Sequence, residues 1–141
     1  MAIFFHDEKI KSNLKGKRDL KSWITKVIEA ENHVPGDINI ILTTDRHLKK
    51  FNKSFLSRDY YTDIITFDYT EDSVVSGDLY ISLDRIKENS RLYKEGEEKE
   101  LRRVIVHGVL HLIGYDDSDE RDKKVMQEKE NYFLAMLPGI D

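Results

Sequence analysis

The sequence of 141 residues contains no cysteine, only two prolines and no long apolar run. Without cysteine, neither a disulfide nor a thiolate metal site can form, and the composition fits a reducing compartment such as the cytoplasm. The apolar stretches are far shorter than the ~20 residues of a membrane span, and the apolar run in MAIFFHDEKI is too short for a signal peptide. We therefore expect a cytoplasmic protein that does not enter a membrane.

The length and net charge of the chain limit the number of domains and the classes of protein that remain possible. A chain of 141 residues can bury one substantial core but not two, which predicts a single domain over residues 1–141. The formal net charge of −4 argues against a generic nucleic-acid coat. The charge is uneven, because residues 1–58 carry 12 basic and 7 acidic side chains and the other 83 residues carry 11 and 20. This basic part could contact an anionic polymer or could simply be solvated.

Apolar periodicity predicts strands mostly in the first part of the chain. Short runs rich in β-branched and aromatic side chains predict strands over residues 2–6, 38–44, 64–67 and 76–82. Pro35 and Gly36 are expected to form a turn before the second of these strands. TEDSVVSG, which leads into the last one, has the polar composition of a loop.

The first three predicted helices each begin at a polar capping residue, namely Asp19, then Thr44 or Asp45, then Asp84. The third is expected to end near Gly96. The second carries Lys49, Lys50 and Lys53 on its outer side, where they either belong to a basic surface or are only solvated.

Two more helices are predicted towards the end of the chain. The first, from Leu101 to Ile113, is apolar nearly all round, which is typical of a helix buried at the centre of a small domain. The last follows an acidic turn and is expected to end at Pro138 and Gly139. Its predicted buried stripe comprises Val125, Met126, Tyr132, Phe133, Met136 and Leu137.

The stretch HGVLHLIGYDD carries the strongest chemical signal in the sequence. In a helix, His107 and His111 lie one turn apart on one face, so their imidazole nitrogens can reach the same point. Gly114 suits the left-handed conformation that ends a helix, and Asp117 would then return to the same side. Two imidazoles and one carboxylate suit a zinc ion and leave a fourth position for water, as catalytic zinc sites do.

Alternatives remain open at this motif. Taken singly, histidines on apolar helices are often core residues and acids after a helix are often solvated, although the joint spacing is much rarer and favours a metal site. Asp116, rather than Asp117, could complete the ligand set. Tyr115, Asp116 and Asp119 either orient the ligating imidazoles or only keep the turn soluble.

A zinc ion with three protein ligands lowers the pKa of a bound water towards ~7, which favours hydrolysis. In the zinc-protease pattern HExxH, a glutamate after the first histidine is the general base, and here that position is Gly108. A peptidase is therefore disfavoured. An RNA phosphodiester depends less on such a base, because its own 2′-hydroxyl is a nucleophile.

The motif, together with TDIITF and SGDLYIS upstream, resembles the bacterial YbeY family of rRNA maturation factors and metal-dependent endoribonucleases over about residues 36–135. The family motif HGxLHLxGYDH supplies three zinc-binding histidines. His107 and His111 match the first two, and Asp117 stands in place of the third. The family arginine that precedes (P)TxVLSF aligns with Leu56, and Arg58 either replaces it in binding phosphate or is an ordinary surface residue.

The resemblance implies an α+β, zincin-like fold, in which a small mixed sheet and several helices surround a central metal-binding helix. It also implies a zinc-dependent endoribonuclease, specific for single strands, with one zinc ion per chain. Such an enzyme would act in maturation of the small-subunit rRNA 3′ end and in ribosome quality control, with the small subunit or its proteins as partners. The alternative is a non-catalytic ribosome-assembly factor that binds RNA or protein and holds a structural metal.

Overall fold

A computed structural model describes residues 2–56 and 62–137, and for residues 55 and 56 it describes only the backbone. The elements follow in the order β1 (Ile3–Asp7), α1 (Lys17–Ala30), β2 (Val34–Thr43), α2 (Asp45–Leu56), β3 (Ile64–Asp68), β4 (Val74–Ser82), α3 (Leu83–Leu92), α4 (Glu97–Ile113) and α5 (Glu120–Leu134). The predicted α+β class is confirmed.

The four strands form one mixed sheet in the order β1-β2-β4-β3. β1, β2 and β4 are parallel, and β3 is antiparallel to β4. Side chains alternate between the two faces of a strand, and the inward ones on β2 and β4 are fully buried: Ile38, Ile40, Val75, Leu79 and Ile81. The ends of β1, β2 and β4 therefore lie at the same edge of the sheet as the start of β3.

Helix α4 is the centre of the fold. It packs against α1, α3, α5, β3 and β4. Most of its apolar side chains are buried, including Val104, Ile105, Val109 and Leu110. The burial on all sides explains why the sequence of α4 is apolar nearly all round.

Gly108 lets α4 approach the sheet closely. A Cβ atom at this position would lie 2.7 Å from Ile64 Cδ1 and 3.0 Å from Leu79 Cδ2. Gly108 therefore faces β3 and β4, and the position has no room for a longer side chain.

Two expected helix caps are wrong. α1 begins at Lys17 with Gly16 as its N-cap, so Asp19 lies inside the first turn. Gly16 has a φ of 72°, which glycine adopts without strain, and this conformation lets the helix begin earlier.

At the start of α3, the Ser82 hydroxyl accepts a hydrogen bond from the Arg85 amide at 3.2 Å. Ser82 is therefore the N-cap, in place of the expected Asp84. The Asp84 carboxylate instead accepts a hydrogen bond from the Asp45 amide at 2.8 Å. α3 ends at Leu92, and Gly96 is the N-cap of α4.

The strands extend further than expected. β2 continues through Pro35 and Gly36, and the register irregularity between Pro35 and Ile38 is a bulge that accommodates the proline. β4 begins at Val74, within the stretch expected to be a loop, because Val74 pairs with Val34.

The predicted buried stripe of α5 is partly wrong. Val125, Tyr132 and Met136 are 40%, 63% and 42% exposed. The helix is rotated so that it buries Met126, Glu130, Phe133 and Leu134. It ends at Leu134, and residues 138–139 lie outside the described ranges.

Within the described ranges, none of the helices combines the length and the apolar character that crossing a membrane requires.

The contacts of Gly77 in β4 predict that replacing it by alanine destabilises the protein more than the same change at an open glycine position. An added Cβ would lie 2.5 Å from the Phe67 carbonyl oxygen, and the backbone of β3 cannot yield without disturbing its pairing with β4. We expect Gly77→Ala to lower the free energy of unfolding by about 1–3 kcal/mol, as overpacking does. Gly96→Ala is the control, because nothing lies within 4 Å of its added Cβ.

The control should cost roughly 0.5 kcal/mol through the weaker N-cap preference of alanine. Urea unfolding of both variants measures the difference. Equal destabilisation would contradict the close approach of β3 to Gly77.

Candidate metal centre

The structure brings His107, His111 and Asp117 together. The Nε2 atoms of the two histidines are 3.0 Å apart. Asp117 Oδ2 lies 3.2 Å from His107 Nε2 and 3.6 Å from His111 Nε2. A tetrahedral zinc ion with bonds of 2.0–2.1 Å separates its ligand atoms by about 3.3–3.4 Å, so the three distances fit one ion. These residues could therefore hold a metal ion.

The local chain path explains this convergence. His107 and His111 lie on α4 at the i, i+4 spacing, which places both side chains on one face. Gly114 ends the helix with a φ of 122°, and the amides of Gly114 and Tyr115 donate to the Leu110 carbonyl at 3.1 and 3.0 Å. The chain consequently turns back, and Asp117 reaches the histidines.

The other nitrogen of each imidazole has its own partner. His107 Nδ1 lies 2.6 Å from Glu130 Oε2, and His111 Nδ1 lies 2.9 Å from the Tyr115 carbonyl oxygen. A carbonyl oxygen can only accept, so His111 Nδ1 carries a proton. The Glu130 carboxylate likewise accepts from His107 Nδ1, and it also accepts from Arg103 Nη1 at 3.4 Å.

These hydrogen bonds fix which atoms face the centre of the site. A neutral imidazole that carries its proton on Nδ1 presents a lone pair on Nε2. Both Nε2 atoms and the Asp117 carboxylate are then acceptors, and they converge without a donor between them. Only a cation, either a proton or a metal ion, can relieve the repulsion among these lone pairs.

The carboxylates around His107 change its titration. Burial lowers the pKa of His107, but its hydrogen bond to the Glu130 carboxylate and the negative charges of Glu130, Asp117 and Asp63 outweigh burial and raise the pKa above its usual value. Burial raises the pKa of Asp63, an effect that the charge of His107 partly opposes. The metal-free site therefore tends to hold protons.

Two hollows meet at the three candidate ligands. One has a volume of about 640 Å³ and is lined in part by Asp63, Arg103, His107 and Glu130. The other has about 450 Å³ and runs along β3, from Thr62 to Asp68. Asp63, His107 and Asp117 line both, so the candidate metal position is open to a ligand from two sides.

The other acids of the motif are engaged elsewhere. Asp116 closes the turn, because its carboxylate accepts from the Asp117 amide at 2.7 Å and from the Ser118 hydroxyl at 3.1 Å. Asp119 is the N-cap of α5 and accepts from the Asp122 amide at 2.7 Å. The structure thus places Asp117, and not Asp116, beside the histidines.

Tyr115 supports the site in two ways. Its carbonyl oxygen orients His111, and its hydroxyl donates to Glu31, which also accepts from Lys129 Nζ at 2.9 Å. Glu31 follows α1 and Lys129 belongs to α5, so the turn after α4 is held between two helices.

Neither Glu130 nor Asp63 is among the site residues predicted from the sequence. Glu130 shares one face of α5 with Met126 and Phe133. An acidic residue within an apolar stripe is the sequence feature that could have identified it. Asp63 lies in TDIITF and gave no separate signal. Arg58 lies outside the described residues, and so does the side chain of Leu56.

The raised pKa values predict that pH has opposite effects on the free energy of unfolding with and without metal. Burial also raises the pKa of Glu100, and each group with a raised pKa binds more protons in the folded chain than in the unfolded chain. The free energy of unfolding of the metal-free protein should therefore fall as the pH rises above about 6.5 through the folded pKa of His107. With zinc it should rise, because metal ligands must be deprotonated.

Urea unfolding at about pH 6 and pH 8, with EDTA or with zinc, measures both trends on either side of the ordinary histidine pKa. The same trend in both conditions would contradict a metal site at His107.

Comparison with known proteins agrees with this geometry. The family model described as Endoribonuclease YbeY matches residues 3–138. An Endoribonuclease YbeY from Parabacteroides distasonis is 42% identical over 138 residues, which cover 98% of this chain and 97% of the relative. Another, from Karelsulcia muelleri, is 45% identical over 82% of each chain.

The solution structure of TM1509 from Thermotoga maritima has a TM-score of 0.69 and 30% identity, and the match covers 97% of this chain and 89% of that one. The family match extends over all the helices and strands described above, including the three candidate ligands. The chain therefore belongs to the endoribonuclease YbeY family.

Proposed function

We propose that this protein is a metal-dependent endoribonuclease that cuts single-stranded RNA in ribosomal RNA processing, with His107, His111 and Asp117 holding one zinc ion. Membership of the endoribonuclease YbeY family supports the reaction class. Imidazole ligands favour zinc over the hard cations magnesium and calcium, and the absence of cysteine leaves an N/O ligand set.

The observation that carries the proposal is the convergence of three acceptor atoms without a donor. Glu130 and the Tyr115 carbonyl each hold the outer nitrogen of one histidine, which is the support that metal-binding histidines generally have. Three protein ligands leave a coordination position open, and an open position is typical of catalytic sites.

The residues of the site have two kinds of role: three would hold the metal ion, and others orient these ligands or line the hollows beside them. A zinc ion would supply Lewis acidity for the phosphodiester and would promote deprotonation of a nucleophile. Glu130 and Tyr115 keep His107 and His111 aimed at one point. Asp63, which lines both hollows beside His107, can exchange a proton with a bound ligand.

The packing of Gly108 supports a nuclease over a peptidase. Zinc proteases place a glutamate at this position as general base. Here an added side chain would meet the side chains of Ile64 and Leu79, so Gly108 faces the sheet and a residue at this position would point away from the candidate ligands. RNA supplies its own 2′-hydroxyl and needs no base at this position.

The wider role follows from the family resemblance. We propose maturation of the small-subunit rRNA 3′ end, a part in ribosome quality control, and action in the cytoplasm beside the small subunit or its proteins. We also propose that residues 1–141 form one domain, and that Arg58, two residues after Leu56, binds phosphate of the RNA.

Loss of one ligand tests the metal and the activity together. We expect His111→Gln to abolish retention of zinc after dialysis and to reduce cleavage of a single-stranded RNA at least about 100-fold, because metal catalysis supplies several kcal/mol. His6→Gln is the matched control, since His6 bonds to Asn39 on the sheet, away from the site.

Elemental analysis and a gel assay with end-labelled RNA give the two readouts. Equal cleavage by wild type and His111→Gln would indicate a contaminating nuclease. Zinc retention by the wild type without any cleavage would favour the non-catalytic assembly factor.

Glu130 should act on the metal through His107. We expect Glu130→Gln to weaken zinc binding roughly 10- to 100-fold, because a neutral amide holds the imidazole less firmly and lowers its basicity. Glu128→Gln is the control, since Glu128 is exposed on the same helix. Competition with a zinc chelator measures both affinities, and equal affinities would contradict the role of Glu130.

A further inference from the structure

A cluster of basic side chains lies apart from the candidate metal centre, where β1 and β2 end and α2 begins. Lys9, Arg46 and Lys50 line a cavity of about 280 Å³, together with Thr44 and His47. Arg46 and Lys50 are exposed and belong to the first two turns of α2. The lining thus contains three cationic side chains and no acid.

The nearby acids are directed to other partners. Glu8 binds His47 Nε2 at 3.0 Å. Asp45 accepts from the Ser82 hydroxyl at 2.6 Å and forms an ion pair with Arg85 at 3.0 Å.

In the part of the chain that the structure describes, no ion pair involves the three basic residues that line this cavity. Their positive charges are therefore not neutralised within the described protein.

This arrangement does not help the protein to fold. Like charges at the i, i+4 spacing of Arg46 and Lys50 repel each other and destabilise a helix. Cations near the start of α2 also oppose the positive end of the helix dipole. A bound anion would relieve the repulsion between these side chains, and phosphate is an anion that Arg and Lys side chains bind.

The basic surface continues along α2. Lys53 is exposed and follows Arg46 by seven residues and Lys50 by three, so all three lie on one face of the helix. After Asp45, α2 contains no acidic residue. We call Lys9, Arg46, Lys50 and Lys53 the basic cluster.

The sheet places the basic cluster at the same edge as the metal centre. Lys9 follows the end of β1. Asp63 precedes β3, and its carbonyl oxygen accepts a hydrogen bond from the Ser82 amide at the end of β4.

α2 packs on the face of the sheet opposite α4, since Phe51 contacts Tyr80 whereas Gly108 faces Leu79. An RNA strand that contacts both sites must therefore pass around this end of the sheet.

We infer that the basic cluster binds phosphates of the single-stranded RNA substrate, away from the bond that is cut. This inference rests on the proposed function, because it assigns the substrate of the same site. The uneven charge of the sequence supports it, since the basic excess lies in residues 1–58. The cluster holds the strand and takes no part in the chemical step.

The test neutralises two charges and measures binding and cleavage separately. Arg46→Gln/Lys50→Gln is compared with Arg18→Gln/Lys26→Gln, which removes the same charges from exposed positions on α1. Binding is measured by fluorescence anisotropy with a 2′-O-methylated single strand at several salt concentrations. Cleavage is measured on a long single-stranded RNA and on a dinucleotide too short to reach the cluster.

We expect the slope of log K against log salt to fall by about 1.4 for the α2 variant, because each phosphate contact contributes ~0.7 for a single strand. Its kcat/KM on the long RNA should fall roughly tenfold at about 0.1 M salt, through KM. The α1 variant should match the wild type in both measurements. Cleavage of the dinucleotide should be the same for all three proteins.

Equal slopes for the two double variants, or an equal loss on the dinucleotide, would overturn the inference. Failure of the wild type to cleave either substrate would instead contradict the proposed function. The difference in salt dependence between the two variants would still decide whether the cluster binds RNA.

Discussion

The candidate metal centre depends on three lone pairs that face one point. His107 Nε2, His111 Nε2 and Asp117 Oδ2 lie 3.0–3.6 Å from one another, and each histidine has its second nitrogen engaged by an acceptor. Such an arrangement is unfavourable unless a cation shares the lone pairs. In the metal-free protein a proton on His107 would fill this role, and the hydrogen bond to Glu130 with the nearby carboxylates raises the pKa of His107 despite its burial. A metal ion would compete for the same position.

The rest of the fold holds these atoms in place. α4 packs against three helices and two strands, which fixes the direction of both histidines, and Gly108 allows its close contact with β3 and β4. The turn at Gly114 returns the chain, and Tyr115 ties that turn to Glu31. At the same edge of the sheet, the candidate metal centre and the basic cluster on α2 would take ligands of opposite charge, because a cation is proposed to bind at the first and phosphate at the second.

Much of the fold and the centre of the site could be predicted from the sequence, because helical spacing alone places His107 and His111 on one face and Gly114 permits the return of Asp117. The choice between Asp116 and Asp117 could not be predicted, because it depends on which carboxylate accepts the hydrogen bond that closes the turn. The predicted buried face of α5 is partly wrong because Val125 and Tyr132 are apolar or aromatic but exposed, whereas the charged residue Glu130 is buried. For this reason Glu130, the partner of His107, could not be predicted from apolar periodicity.

The most direct measurement is the anomalous diffraction signal at the zinc edge from crystals of the zinc-loaded protein. The account predicts one peak within about 2.0–2.2 Å of His107 Nε2, His111 Nε2 and Asp117 Oδ2, with at least one further coordination position taken by solvent or substrate. A peak elsewhere in the molecule, or an ion bound by only one of the two histidines, would contradict it.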